Sequence, residues 1–209
     1  MLRTTRLAAY AWIALGLAAP LGAQAQEKWT PLFDGKTLSG WTFLPLQAGA
    51  KTNWEVKDGT IVGTGDASML FSPRGDYKNF RYRAELKISD KGNSGMYIRA
   101  PKKATFTQGY EVQVNATHTD PIRTGSLYTL VHIYKTPAPA DTYFTQEIEA
   151  SDIPYRGKTV TRIVVKINGE ILYEYLDHDR LFASGHFAFQ QHDPGSKVTI
   201  RKVEVIELP

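Results

Sequence analysis

The chain has 209 residues, with 25 Lys plus Arg against 21 Asp plus Glu, a formal charge of +4, and no cysteine. That length accommodates one domain with a sizeable core, and the near balance of interspersed charges argues against a nucleic-acid partner. Without cysteine there are no disulfide staples, so stability rests on packing, and the usual structural zinc site is excluded.

In chain order the first element is a leader. Arg3 and Arg6 precede an apolar run from Leu7 to Leu21, and Ala23-Gln24-Ala25 follows. A basic start, an apolar stretch and an A-x-A site predict a secretory signal peptide over residues 1–25. A membrane anchor is the weaker alternative, because the run is short and is broken by Pro20 and Gly22. The expectation is a bacterial protein, periplasmic or secreted, with no membrane contact after cleavage. Removing 25 of 209 residues leaves 184, read as a single domain over 26–209. Two arginines leave with the leader, so the balance falls from +4 to +2.

The remainder reads as strands and turns. Trp54–Val56 and Thr60–Val62 flank Lys57-Asp58-Gly59, and Thr161–Ile167 and Ile171–Tyr175 flank Asn168-Gly169-Glu170. Both are hairpin signals, since Asp-Gly and Asn-Gly supply the positive φ of tight turns. In Phe80–Ser89 apolar and polar residues alternate strictly, the mark of a strand with one buried face. The alternation continues in Ser94–Arg99, with Tyr97 and Arg99 opposite Met96 and Ile98. In Gly109–Val114 it sets Glu111 and Gln113 opposite Tyr110, Val112 and Val114. Three such strands are expected to assemble a polar cleft.

Gly125–Leu130 and Gly185–Gln191 read as further strands, and Val198–Leu208 changes phase, which predicts a β-bulge near Arg201-Lys202. Helical periodicity is confined to at most one turn in Asp177–Ala183. Ala116–Thr124 and Thr136–Thr142 read as loops. Many short strands with turns between them indicate an all-β, antiparallel two-sheet jelly-roll sandwich whose concave face can hold a ligand.

Six phrases in order carry a resemblance: Pro31 to Trp41 (PLFDGKTLSGW), Trp54 to Gly63 (WEVKDGTIVG), Tyr77 to Phe80, Asn93 to Arg99 (NSGMYIR), Gly109 to Val114 (GYEVQV) and Thr124 to Tyr128 (TGSLY). This order resembles the 3-keto-disaccharide hydrolase family, from about Trp29 to Glu207. The resemblance implies a concanavalin A-like jelly roll, a carbohydrate substrate, an exported location, and 3-keto-glucoside 1,2-lyase with 3-keto-2-hydroxy-glucal hydratase activity. The chain departs from the family in lacking a Trp-Asn pair where it reads Tyr143 to Glu149, which leaves the role of the segment 136–150 open. At the other end it reads Ala188-Phe189-Gln190-Gln191-His192-Asp193.

The implied chemistry sets the residues to look for. A ketone at C3 acidifies the C2 hydrogen, so a base can remove it and the C1 substituent leaves by β-elimination. The site then needs a base, an electrophile for the enolate oxygen, and a proton donor.

Glu111 is the first choice for base or metal ligand, His192 for the leaving-group proton, and Arg99 for clamping the enolate. Glu85, Asn93, Tyr97, Gln113, Tyr128 and Gln190 are the substrate-binding candidates. The plainer alternatives are surface ion pairs for Glu111, Glu85 and Arg99, and a turn histidine for His192. Tyr110 and Trp41 read as packing, His118 and His132 as weaker site candidates, and His178 and His186 as surface. No cofactor is assigned, and a divalent ion held by residues such as Glu111 and His192 remains open. The sequon Asn115-Ala116-Thr117 reads as chance.

Two other functions compete. One is a non-catalytic, lectin-like carbohydrate-binding module, since fold alone does not fix function. The other, a retaining glucanase, needs an E-x-D-x-x-E strand that Glu147-Ile148-Glu149 does not complete.

Overall fold

In the tightest turns, Asp58 and Gly59 take φ of 50° and 73°, and Asn168 and Gly169 take 52° and 86°. Two successive positive φ values match the right-handed twist of the strands they join, so both expected hairpins form. Arg156-Gly157 makes a third turn of the same kind. The computed structural model describes residues 27–209, and the leader expected over 1–25 lies outside them. No helix among the described residues is long and apolar enough to cross a membrane.

Among the described residues thirteen strands follow in order: β1 (Thr30–Pro31), β2 (Thr42–Pro45), β3 (Thr52–Lys57), β4 (Thr60–Gly65), β5 (Ser68–Phe71), β6 (Phe80–Ile88) and β7 (Asn93–Ala100). The rest are β8 (Tyr110–Asn115), β9 (Phe144–Tyr155), β10 (Lys158–Ile167), β11 (Glu170–Asp177), β12 (His186–Gln191) and β13 (Val198–Glu207). An eight-stranded antiparallel sheet runs β11-β10-β9-β6-β13-β4-β3, with β1 also paired to β13, and a five-stranded one runs β2-β5-β12-β7-β8. This is the expected two-sheet sandwich.

Between the sheets lies the main core. Phe80, Tyr82, Ala84, Leu86 and Ile88 of β6 all point into it, as their alternation requires. They meet Phe187 of β12, whose ring stacks on Tyr82 (centroids 3.9 Å apart) and Tyr77 (4.1 Å) and meets Phe80 edge-on (4.7 Å). Each such pair adds about 0.5–1.5 kcal/mol beyond the area it buries. Trp41 packs on Phe189, and its indole N–H donates to the Leu32 carbonyl, so it is a packing residue.

A bulge in β13 falls where the phase change puts it: Ile200 opposes Leu86 while Lys202 opposes Glu85, leaving Arg201 extra. A second bulge has no sequence signal. Ala188 opposes Tyr97 but His186 opposes Ala100, so β7 carries one residue too many, and Arg99 takes a φ of 50°. The bulge reverses the phase of the strand after Tyr97.

Three other expectations fail in detail. Phe144–Tyr155 is a twelve-residue central strand, so the segment 136–150 is only partly loop. Gly125–Leu130 is an irregular segment with isolated bridges of Leu127 to Val112 and Val131. Asp177–Ala183 forms no helix; the Asp177 carboxylate accepts the N–H groups of Asp179 and Leu181 instead.

Candidate active site on the five-stranded sheet

The outer face of the five-stranded sheet carries a cavity of about 280 Å³ lined by Asn93, Phe106, Thr107, Gly109, Glu111, Gln113, Asp120, Tyr128, Thr129, Gln190 and His192. Its floor is β7, β8 and β12. Register sets Gly95 beside Gln113 and Tyr97 beside Glu111, and Ala188 lies across from Tyr97. One wall is the segment after Thr124, which runs along the free edge of β8. Gln113 N–H donates to Ser126 O, and Gly125 and Tyr128 N–H donate to Gln113 O and Glu111 O, each at 2.9 Å. This edge pairing delivers Tyr128 and Thr129 to the cavity. Thr129 has a φ of 69°, a strained value for a β-branched residue, and such strain clusters where a site dictates the backbone.

Glu111 is the most perturbed acid here. Burial pushes its carboxyl up to about 8, and the charge of Asp120 adds to the rise. It is therefore protonated at neutral pH and can donate a proton or hydrogen bond. Gly95 makes its position possible: a Cβ there would lie 2.4 Å from Glu111 Oε1 and 2.8 Å from the Tyr97 ring. Glycine lets the carboxyl lie across β7.

Tyr97 is fully buried beneath the cavity rather than lining it. Its hydroxyl donates its one proton to Phe106 O at 3.0 Å, so the same oxygen accepts from Gln190 Nε2, also at 3.0 Å. That fixes the Gln190 amide with its oxygen free. Gln190 Oε1 and Asn93 Oδ1 are buried without partners at a wall of the cavity. Buried acceptors without donors are costly, and ligand hydroxyls would satisfy them.

His192 follows β12 directly. Its Nδ1 lies 2.7 Å from Asp193 Oδ2, and Phe106 stacks on its ring. Burial alone would raise Asp193, but His192, Ser196 Oγ and the Gly195 N–H hold its carboxylate below the usual range. An ionised Asp193 keeps the proton on Nδ1 and leaves Nε2 as an acceptor.

His118 stands 5.6 Å from His192, ring to ring, and His118, His192 and Asp193 present ligand atoms within 4.8 Å of one another. Glu111 belongs to no three-ligand group of this kind among the described residues. The trio is poorly prepared for a cation. His118 Nδ1 accepts the Asp120 N–H at 3.1 Å, which puts the proton on Nε2, the atom facing Asp193. A metal-binding histidine normally donates from its second nitrogen instead.

Six expected residues thus gather at one cavity: Glu111, Gln113, Asn93, Tyr128, Gln190 and His192. Two do not. Arg99, turned inward by the β7 bulge, crosses to the other sheet and is fully buried. It donates to Lys78 O (2.9 Å), Asp152 Oδ1, Thr161 Oγ1 and Phe182 O (each 3.0 Å). Burial would raise Asp152, but Arg99 and Arg180 outweigh it and keep the carboxylate ionised. Arg99 ties the sheets together and is not a substrate clamp.

Glu85 lies on the outer face of the eight-stranded sheet, where Arg201 holds it ionised. The three-strand cleft is corrected accordingly: β6 belongs to the opposite sheet, and β12 takes its place. Asp120, Phe106, Thr129 and Asp193 were missed. Of these only Asp193 carried a signal, adjacency to His192. His132 is exposed beside Tyr134, away from the cavity. Asn115 is buried and donates to Asp120 O and Ile122 O, so the sequon is inaccessible.

This geometry meets a family match. Residues 28–206 match the 3-keto-alpha-glucoside-1,2-lyase-like domain. The chain belongs to that family. A 3-keto-disaccharide hydrolase of Bacteroides thetaiotaomicron is 34% identical over 77 residues, covering 33% of this chain and 26% of the relative, so the match spans about a quarter of that protein.

Among solved structures, a glycosyl hydrolase candidate of Parabacteroides distasonis ATCC 8503 superposes with a TM-score of 0.69 at 18% identity, over 87% of this chain and 100% of the other. The carbohydrate-binding module CBM66 of Bacillus subtilis gives 0.58 at 20% identity, over 78% and 93%. At such identities these two establish the fold.

Proposed function

We propose that the chain is an exported enzyme that cleaves 3-keto-glycosides by elimination followed by hydration. The observation that carries this reading is a buried Glu111, its carboxyl pushed up to about 8 by burial, in one cavity with a carboxylate-oriented histidine. The family match and the name of the Bacteroides relative support the substrate class. The basic, apolar and A-x-A sequence of residues 1–25 supports export to the periplasm or beyond.

In this mechanism the roles first assigned to Glu111 and His192 change. A carboxyl that is neutral at pH 7 is a poor base and a good donor. Glu111 therefore donates to the C3 ketone oxygen as negative charge develops there. His192 takes the C2 proton on Nε2, and the C2–H electron pair moves into the enolate. The enolate then collapses to a C1–C2 double bond, the C1–O bond breaks, and the departing oxygen takes the proton from His192. Water adds across the double bond in the second half. Asn93 and Gln190 accept hydrogen bonds from ring hydroxyls, and Tyr128 offers an aromatic surface to the sugar.

The test is to incubate purified protein, with and without chelator, with 3-keto-trehalose and with trehalose. Release of glucose from the keto sugar alone, unchanged by chelator, is expected. Saturable binding of either sugar without turnover would instead identify a carbohydrate-binding module, the reading favoured by the likeness to CBM66.

A further inference from the structure

Two glutamines line the cavity, Gln113 from β8 and Gln190 from β12, and both are almost wholly buried (1% and 2% exposed). β7 runs between their strands, which sets the two backbones roughly 9.5 Å apart. Each amide is locked in one sense, and the two senses are opposite.

Gln113 Oε1 accepts the Val114 N–H at 3.1 Å. Its oxygen is thereby turned to the backbone, and its NH2 group is the part left to donate to a ligand. Gln190 is turned the other way by Tyr97. The Tyr97 hydroxyl has one proton, and Phe106 O, which can only accept, takes it at 3.0 Å. The Gln190 amide must therefore meet that hydroxyl with its Nε2–H, also at 3.0 Å, and Oε1 stays without a donor. The phenol of Tyr97 thus chooses which end of the amide a ligand meets.

We propose that Tyr97 is a specificity-determining positioning residue. By holding Gln190 as an acceptor opposite the Gln113 donor, it makes the cavity select a ligand hydroxyl at Gln190 and reject a group that can only accept. The inference rests on the function proposed above and deepens it. Tyr97 lies beneath the cavity and outside its lining, so it acts through Gln190 and does not touch the sugar. A ligand hydroxyl donates to Gln190 Oε1. A fluorine in its place has no proton to give and leaves that oxygen buried and unmet. In Tyr97→Phe the Gln190 Nε2 loses its acceptor, so the amide is free to turn and offer an N–H to the ligand instead.

The experiment compares 3-keto-trehalose with three analogues that carry fluorine in place of the hydroxyl at C2, C4 or C6 of the keto ring. kcat/KM is measured for each sugar with wild type, Tyr97→Phe and Gln190→Met. Dividing an analogue's penalty in wild type by its penalty in a variant cancels the intrinsic effect of fluorine on the chemistry. At one ring position the wild-type penalty should be about 10²-fold or more, and Tyr97→Phe should cut it by about ten-fold or more. Gln190→Met removes the amide itself, so it should cut the same penalty, and it serves as the test if Tyr97→Phe does not fold. Equal penalties in wild type and both variants at every position would overturn the assignment. So would relief in Gln190→Met that Tyr97→Phe, folded by its melting curve, does not share. If wild type does not turn over 3-keto-trehalose, the proposed function itself fails. Calorimetric Kd values for the same sugars and variants then test Tyr97 alone, with the same outcomes.

Discussion

On the outer face of the eight-stranded sheet the charges end in pairs. Arg81 bonds to Glu147, Arg83 to Glu204, Arg201 to Glu85, and Arg162 to both Glu149 and Glu174. On the outer face of the five-stranded sheet Glu111 has no cation within ion-pair distance among the described residues, and Asn93 and Gln190 keep acceptors without donors. Both faces arise from the same alternation of apolar and polar residues. What separates them is satisfaction: a paired face has little left to bind, while a cavity with unmet buried acceptors offers partners for a ligand.

The sharpest way to break this contrast is to exchange one carboxylate on each face. Glu111→Gln and His192→Ala should each lower turnover of 3-keto-trehalose by about 10²–10⁴-fold while leaving the melting curve cooperative. Glu85→Gln should leave the initial rate unchanged. Equal losses from Glu85 and Glu111 would remove the distinction between the faces.

A comparable loss of stability, without loss of chemistry, is expected at Arg99. Arg99→Met leaves Lys78 O and Phe182 O without their donor and Asp152 with Arg180 and Lys78 as its remaining cations, and should cost about 2–4 kcal/mol in denaturant unfolding, with the rate per folded molecule retained. Loss of turnover in folded protein would return Arg99 to the site.

Next in size is a pH effect. Glu111 titrates near 8 in the folded chain, against an ordinary value of 4.5. Between these values the folded state holds a proton that the unfolded state has released. Stability from this group is therefore complete below 4.5 and declines as pH rises toward about 8. Glu111→Gln should flatten that decline in melting temperature, and an unchanged slope would mean the carboxyl is already ionised. The smallest effect belongs to the paired face, where Arg83→Ala should change stability by no more than about 1 kcal/mol.

Much of this was legible because strand periodicity is a local property. The alternation in Phe80–Ser89 and Gly109–Val114 determined which side chains share a face, and the Asp-Gly and Asn-Gly pairs determined two hairpins. The phase change near Arg201 likewise located a bulge. The family phrases and strand parity brought Glu111, Asn93, Gln113 and Tyr128 forward by residue, and shared parity on a late strand brought Gln190 and His192.

Tertiary structure decided the rest, for physical reasons that no local pattern carries. Period-two alternation says which face is polar but not to which sheet the strand belongs, so β6 and Glu85 were set in the cleft when they lie on the opposite exterior. The β7 bulge is imposed by pairing with β12, a strand about ninety residues away, and it turns Arg99 from the cavity into the core. The raised pKa of Glu111 likewise depends on burial beside Gly95 and on the charge of Asp120. Burial and pairing are sums over distant neighbours, and only the folded chain performs that sum.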